Sequence, residues 1–149
     1  MAFLMPVALI RLVHGYEATM TRNEMKKLAE RLHRLWSTGE LSAIPDIYAP
    51  DFIGHFPKGS PLGELKGHSG VKGAIEHVRH AFADFTETIE DIIIDGDKVV
   101  TRYVSAGVHK EPFFDLAPTG KHARFDEISI FRVRNGLVAE QWCLIRDAD

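Results

Sequence analysis

Apolar positions recur at a helical interval through the first half of the chain and switch to alternation after Asp84. Thr21 followed by Glu24 is the T-x-x-E capping box, which predicts a helix beginning at Thr21. Met25, Leu28, Ala29, Leu32, Leu35 and Trp36 then trace one face of an amphipathic helix, and Gly39 supplies its stop. A short second helix is expected over 42–48, burying Leu41, Ile44, Ile47 and Tyr48, with Pro50 ending it. Residues 51–56 form a brief extended piece, and 58–67 a loop rich in Gly and Pro. Ser69 is placed to cap a third helix ending near Phe82, with Val71, Ala74, Ile75, Val78 and Phe82 on one face.

Strand-forming runs follow at 86–94, 98–109, 121–134 and 137–146. Asp95-Gly96-Asp97 and Asn135-Gly136 are hairpin turns between them, and 110–121 is a longer loop. Helices first and an antiparallel meander afterwards define an α+β domain. We expect a cone: a curved antiparallel sheet with three helices packed on its concave face, enclosing a cavity lined by one strand parity. On the last strand, Leu137, Ala139, Gln141, Cys143 and Ile145 share one face, and Val138, Glu140, Trp142 and Leu144 the other. Both faces are substantially apolar, so both are expected to be covered, the outer one by a second subunit in a homodimer.

A chain of 149 residues, 45% hydrophobic and 26% charged, fits one globular domain, assigned to 20–149. Residues 1–19 are assigned to an N-terminal extension, an arm or upstream read-through. Its apolar run, Ala2–Ile10, is shorter than the roughly 20 residues a membrane span needs, and Arg11 follows the run rather than preceding it. No membrane partner is expected. The net charge is −3 and no basic run occurs, which argues against a nucleic-acid partner. A single cysteine, Cys143, allows no intrachain disulfide and suits a reducing, cytoplasmic setting.

Several segments in collinear order carry a family resemblance. His109-Lys-Glu-Pro-Phe-Phe-Asp-Leu-Ala-Pro-Thr-Gly-Lys121 resembles the H-x-G-x-F-x-G-x-x-P-T-G-K/R segment of SnoaL-like polyketide cyclases, within the nuclear transport factor two-like superfamily. Pro50–His55 resembles the family's P-D-F-x-x-H, Ala81–Phe85 its A-F-P-D-L, and Gly96–Val100 its G-D-K/R-V-V. Phe131–Trp142 resembles its F-R-x-x-x-G-K-I-x-E-x-W. The resemblance implies the cone fold, a dimer, no metal or organic cofactor, and proton-transfer chemistry on a small apolar carbonyl-bearing cyclic substrate. A cyclase, isomerase or dehydratase would fit. It also implies an acid/base aspartate directly after the Trp of E-x-W, where this chain has Cys143.

Candidate residues follow from both lines. His55 and His109 are candidates for a proton shuttle near neutral pH. Asp126 and Glu127 are the candidates to supply the carboxylate absent at Cys143. They sit on opposite parities of one strand, and Asp126 is named as the catalytic one, with Glu127 in the binding wall. Tyr103, Phe113, Phe125, Gln141, Cys143 and Asp147 complete that wall, with Tyr103 able to donate to an enolate oxygen. His77-x-x-His80 has metal-ligand spacing but no third ligand at a recognisable interval, so a solvated helix face is expected. Arg102-Tyr103-Val104 lacks the Asp of the R-x-D strand found in the superfamily's epoxide hydrolases, which argues against that chemistry. One alternative to an enzyme is a non-catalytic ligand-binding protein on the same fold; another is an assembly module whose cone is filled by side chains such as Phe113, Phe114 and Phe125.

Overall fold

The computed structural model describes residues 19–148; the extension assigned to 1–19 lies outside the described residues except for Ala18's neighbour, Thr19. Helix α1 spans Arg22–Thr38, and the Thr21 hydroxyl accepts the Glu24 N–H at 3.1 Å, as the capping box requires. It buries Met25, Leu28, Ala29, Leu32, His33, Leu35 and Trp36. Gly39 ends it at φ 72°, donating its N–H to the Leu35 carbonyl at 2.8 Å. A Cβ at this position would fall 2.5 Å from Arg79 Nε. Arg79 reaches across from α3 (Gly67–Ala81) and donates to the carbonyls of Trp36, Ser37 and Phe85. A cation thereby satisfies the last carbonyls of α1 and ties that helix end to the sheet.

The second helix is shorter than its pattern suggested. A 3₁₀ turn over Leu41–Ala43 leads into α2, Ile44–Ile47, and Tyr48 already belongs to β1, Tyr48–His55. The loop expected over 58–67 holds a further strand, β2, Glu64–Lys66, which runs directly into α3. Lys66 therefore occupies the N-cap and makes no side-chain cap, and Ser69 lies inside the helix rather than before it.

Four long strands complete the sheet: β3 Phe82–Asp95, β4 Lys98–His109, β5 His122–Arg134 and β6 Leu137–Asp147. Their order is β2-β1-β6-β5-β4-β3; β1 runs parallel to β6, and the other neighbours are antiparallel. Asn135 and Gly136 both take positive φ, 53° and 77°, the type I′ signature of a two-residue hairpin. Register shifts in β3 between Ala83 and Thr86 and between Ile89 and Asp91 mark bulges, which bend a strand and deepen sheet curvature.

The concave face packs against the helices through Leu32, Trp36, Ile75, Val78, Phe82, Phe131 and their neighbours. On the convex face Ile128 pairs with Leu144 and Ile130 with Trp142. Leu144 is 71% exposed and Trp142 38% exposed in the single chain. Of the outer face predicted for β6, Trp142 and Leu144 are therefore open, while Val138 at the start of the strand is buried.

Candidate active site

The pleat of β4, β5 and β6 sends one parity inward. Tyr103, Ser105 and His109 from β4, Phe125, Glu127 and Ser129 from β5, and Gln141 and Cys143 from β6 share the concave side. Most of these residues, with the helices above, enclose a cavity of about 840 Å³. Its apolar wall is aromatic, formed by Trp36, Phe56, Phe82, Phe85, Phe113 and Phe125. Its polar groups include Glu87, Tyr103, Ser105, His109, Glu127 and Gln141, with the exposed Lys121, His122 and Asp147 also contributing. The cone is not filled by Phe113 and Phe125; they line an open space, which corrects the filled-cone expectation.

Glu127 is the buried carboxylate of this wall, 8% exposed. The Ser105 hydroxyl donates to its Oε2, and Tyr103 OH donates to its Oε1 at 3.4 Å. Cys143 Sγ lies 3.6 Å from Oε1. Burial pushes the Glu127 pKa up to about 8, the nearby Glu87 charge adds to the rise, and the three donors oppose it. Behind it stands a relay. Gln141 Nε2 donates to Ser129 Oγ at 3.0 Å, and Ser129 Oγ lies 2.9 Å from Tyr103 OH. With the Tyr103 proton directed to Glu127, the Ser129 hydroxyl donates to Tyr103, and every member is satisfied. Burial and the Glu127 charge push the Cys143 thiol up to about 12, so it stays protonated and is a poor nucleophile.

His109 is 6% exposed and its ring stacks on Phe82 at 4.8 Å and 24°. Among the described residues, its Nε2 is the buried side-chain polar atom with no hydrogen-bond partner. A buried orphan nitrogen in a cavity wall is a position where a ligand oxygen would be stabilised.

Two polar residues absent from the sequence reading complete the interior. His33 on α1 holds Glu87 Oε2 through Nδ1 at 2.9 Å and Thr101 Oγ1 through Nε2 at 2.9 Å. Its ring packs on Tyr103, with centroids 4.3 Å apart. Desolvation raises the Glu87 pKa, against the pull of His33. One signal was available: His33 interrupts the buried stripe between Leu32 and Trp36, where a polar residue needs a partner.

Other candidates lie elsewhere. Asp126 has the outward parity and pairs with Arg146 at 2.8 Å, so it stands apart from the cavity that Glu127 lines. His55 does not line the cavity either and is not brought together with His109. It pairs with Glu140 at 2.8 Å and stacks on the outward Trp142 at 5.6 Å. Strand parity is the physical reason in both cases. Arg102 is likewise outward, bound to Asp91 at 2.6 Å. His77 is no free surface ligand: its ring lies 4.1 Å from that of Phe114, whose backbone N–H it accepts at 3.3 Å. Among the described residues no group of three or more His, Cys, Asp or Glu could hold a metal, and no helix is long and apolar enough to cross a membrane.

Three helices on an unclosed, curved six-stranded sheet, with a cavity between them, define an α+β cone of the nuclear transport factor two-like fold. Within that class the chain belongs to the SnoaL-like polyketide cyclase family, whose sequence profile matches residues 26–148. IdmH from Streptomyces antibioticus, a candidate polyketide cyclase, is similar at 28% identity and TM-score 0.70, over 80% of this chain and 90% of that one. A candidate polyketide cyclase from Bacillus cereus is similar at 30% identity and TM-score 0.68, over 85% and 78%. One from Acidithiobacillus ferrooxidans is similar at 25% identity and TM-score 0.70, over 85% and 91%. No curated protein matches the chain by sequence.

Proposed function

We propose that the protein is a cofactor-independent enzyme that moves a proton on a small, apolar, carbonyl-bearing cyclic substrate, with Glu127 as its acid/base group. The single observation that carries this reading is Glu127 itself, a buried carboxylate in an aromatic cavity with a pKa pushed up to about 8. A carboxylate so poised can take a proton from carbon and return it near neutral pH. It touches Cys143, the position where the family resemblance puts an aspartate, so the carboxylate is supplied from the neighbouring strand. His109 Nε2 is unpartnered in the wall, and in its Nε2–H tautomer it donates to the carbonyl oxygen as that becomes an enolate. Aromatic walls hold the ring system and exclude water.

Asp126 and His55 carry no part of this proposal, because neither lines the cavity. Phe113, Phe125 and Gln141 serve as binding wall, and Asp147 sits where the cavity reaches exposed surface. Two copies pair through the convex face, covering Ile128, Ile130, Trp142 and Leu144, and the lone buried thiol suits a cytoplasmic setting. The test is a thermal-shift screen against anthraquinones, steroids, terpenes and aromatic ketones, followed by turnover of whichever carbonyl ligands stabilise the protein. Glu127→Gln is expected to slow turnover by about 10²–10⁴-fold at unchanged fold. Ligands that bind and are never converted would favour the ligand-binding alternative.

A further inference from the structure

Building on the proton-transfer reading above, we propose that the ring ketone taken by the cavity also carries a carboxylate, which Lys121 holds at the mouth beside His109. The substrate class is then a cyclic keto acid, with its ring in the aromatic cavity and its charged group at the rim.

The inward row of β5 sets this placement. Register pairs Tyr103 with Glu127, Ser105 with Phe125, Gly107 with Ala123 and Val108 with His122. One step further, His109 and Lys121 stand opposite each other. The His109 N–H donates to the Lys121 carbonyl at 3.0 Å, and the Gly120 N–H donates to the His109 carbonyl at 2.8 Å. Thr119 Oγ1 accepts the Lys121 N–H at 3.2 Å, so the backbone is fixed at this point. Lys121 has the parity of Ala123, Phe125 and Glu127 and lines the cavity with them. Side chains directly opposite across an antiparallel pair have Cβ atoms about 5 Å apart. A ligand whose carbonyl oxygen meets His109 therefore has its neighbouring substituents within reach of the Lys121 ammonium.

The two members of the pair ask for different partners. His109 is buried with Nε2 unpartnered, a position for a ligand oxygen. Lys121 is exposed, and among the described residues no carboxylate pairs with it. Burial of the ring would deliver an attached anion to this ammonium, and the apolar wall beside it lowers the competition from water. A ring ketone without a charge satisfies His109 and leaves Lys121 unused.

Nearby acids do not cancel the site. Asp147 lies opposite Phe125 on β6, four residues along β5 from Lys121, about 13 Å of strand. Deeper in the wall, Glu127 with its pKa near 8 is largely protonated at neutral pH, and Glu87 is engaged by His33 at 2.9 Å. Arg124 also borders the cavity, but it has the outward parity of Asp126 and belongs to the rim rather than to the inward row.

The experiment measures binding by isothermal titration calorimetry at neutral pH and one ionic strength. The probes are 3-oxocyclohexanecarboxylate, 3-carboxy-1-tetralone and anthraquinone-1-carboxylate, each beside its methyl ester. Lys121 is exposed and makes no side-chain bond, so Lys121→Met tests the site at unchanged fold, with Arg124→Met as the comparison. Expected for the ring system that binds best is an acid held about tenfold or more tighter than its ester in wild type. That preference should shrink to within about twofold in Lys121→Met, at unchanged ester affinity, and persist in Arg124→Met. Esters that bind as tightly as acids in wild type overturn the proposal, as does a preference that survives Lys121→Met or falls instead in Arg124→Met. In those cases the Glu127 reading stands wherever the bound esters still exchange their α hydrogens in D2O. Acids that bind with the expected preference but never exchange overturn the Glu127 reading and leave the anion site, and a protein that binds none of the six probes overturns both.

Discussion

Replacing Glu127 by Gln converts the account into a stability measurement that needs no substrate. The buried carboxyl has its pKa raised from the ordinary 4.5 to about 8, chiefly by desolvation. The folded protein therefore binds this proton more tightly than the unfolded chain, and unfolding free energy falls as pH rises between those two values. The stabilisation is complete below about pH 4.5 and is lost by the time pH has passed through about 8. Each pH unit in that window is worth about 1.4 kcal/mol, so the whole loss is about 5 kcal/mol. Gln is nearly isosteric with the protonated acid and does not titrate. The difference in stability between Glu127→Gln and wild type is then small at pH 4.5 and grows to about 5 kcal/mol in favour of the variant by pH 8 and above. Titrating groups remote from Glu127 cancel in that difference, whereas Glu87, whose charge helps raise Glu127, is eased by the substitution as well. Urea unfolding followed by tryptophan fluorescence, at one protein concentration and a series of pH values, reads it directly, and thermal midpoints should separate by roughly 10 °C or more for a domain this size. Parallel stability curves for the two proteins would refute the burial argument for Glu127.

Three further outcomes follow from the packing. His109→Phe keeps an aromatic ring on Phe82 but deletes the orphan Nε2, so stability should hold or rise by a few tenths of a kcal/mol while turnover of carbonyl ligands falls at least tenfold. Urea melts beside kinetics separate the two effects. If two copies pair through the exposed convex face as proposed, wild type should sediment as a dimer, and Leu144→Glu with Trp142→Lys, which places charges on that face, should yield monomers by sedimentation equilibrium. Arg79→Ala strips the cation from the last carbonyls of α1 and should cost about 1–3 kcal/mol in denaturant unfolding.

The fold was legible because it rests on local rules. The Thr21–Glu24 capping box, Gly39 and Asn135-Gly136 each fix their backbone through their own side chain or its absence, whatever the rest of the chain does. β2 and the early start of α3 were not legible, because Glu64–Lys66 is a strand only by pairing with β1, a contact no local pattern encodes. The site was half visible. Alternation put Asp126 and Glu127 on opposite faces, yet which face is inner is decided by helices packing from elsewhere. His33 and Glu87 escaped because their meaning is pairwise across 54 positions of sequence. Each alone is an ordinary helix or strand residue. His55 was misplaced for the same reason: β1 joins the sheet beside β6, which puts it against Glu140 and the outward Trp142.

Under the proposed function, Glu127 moves a proton on carbon inside the cavity. The most direct measurement is the rate of α-hydrogen exchange in D2O for a bound cyclic ketone, followed across pH 6–10 in wild type and in Glu127→Gln. The wild-type rate should rise with pH and level above about 8, where the carboxylate form dominates, and the variant's rate should be lower by about 10²–10⁴-fold with that pH dependence gone. Exchange that survives in Glu127→Gln with the same pH profile would contradict it.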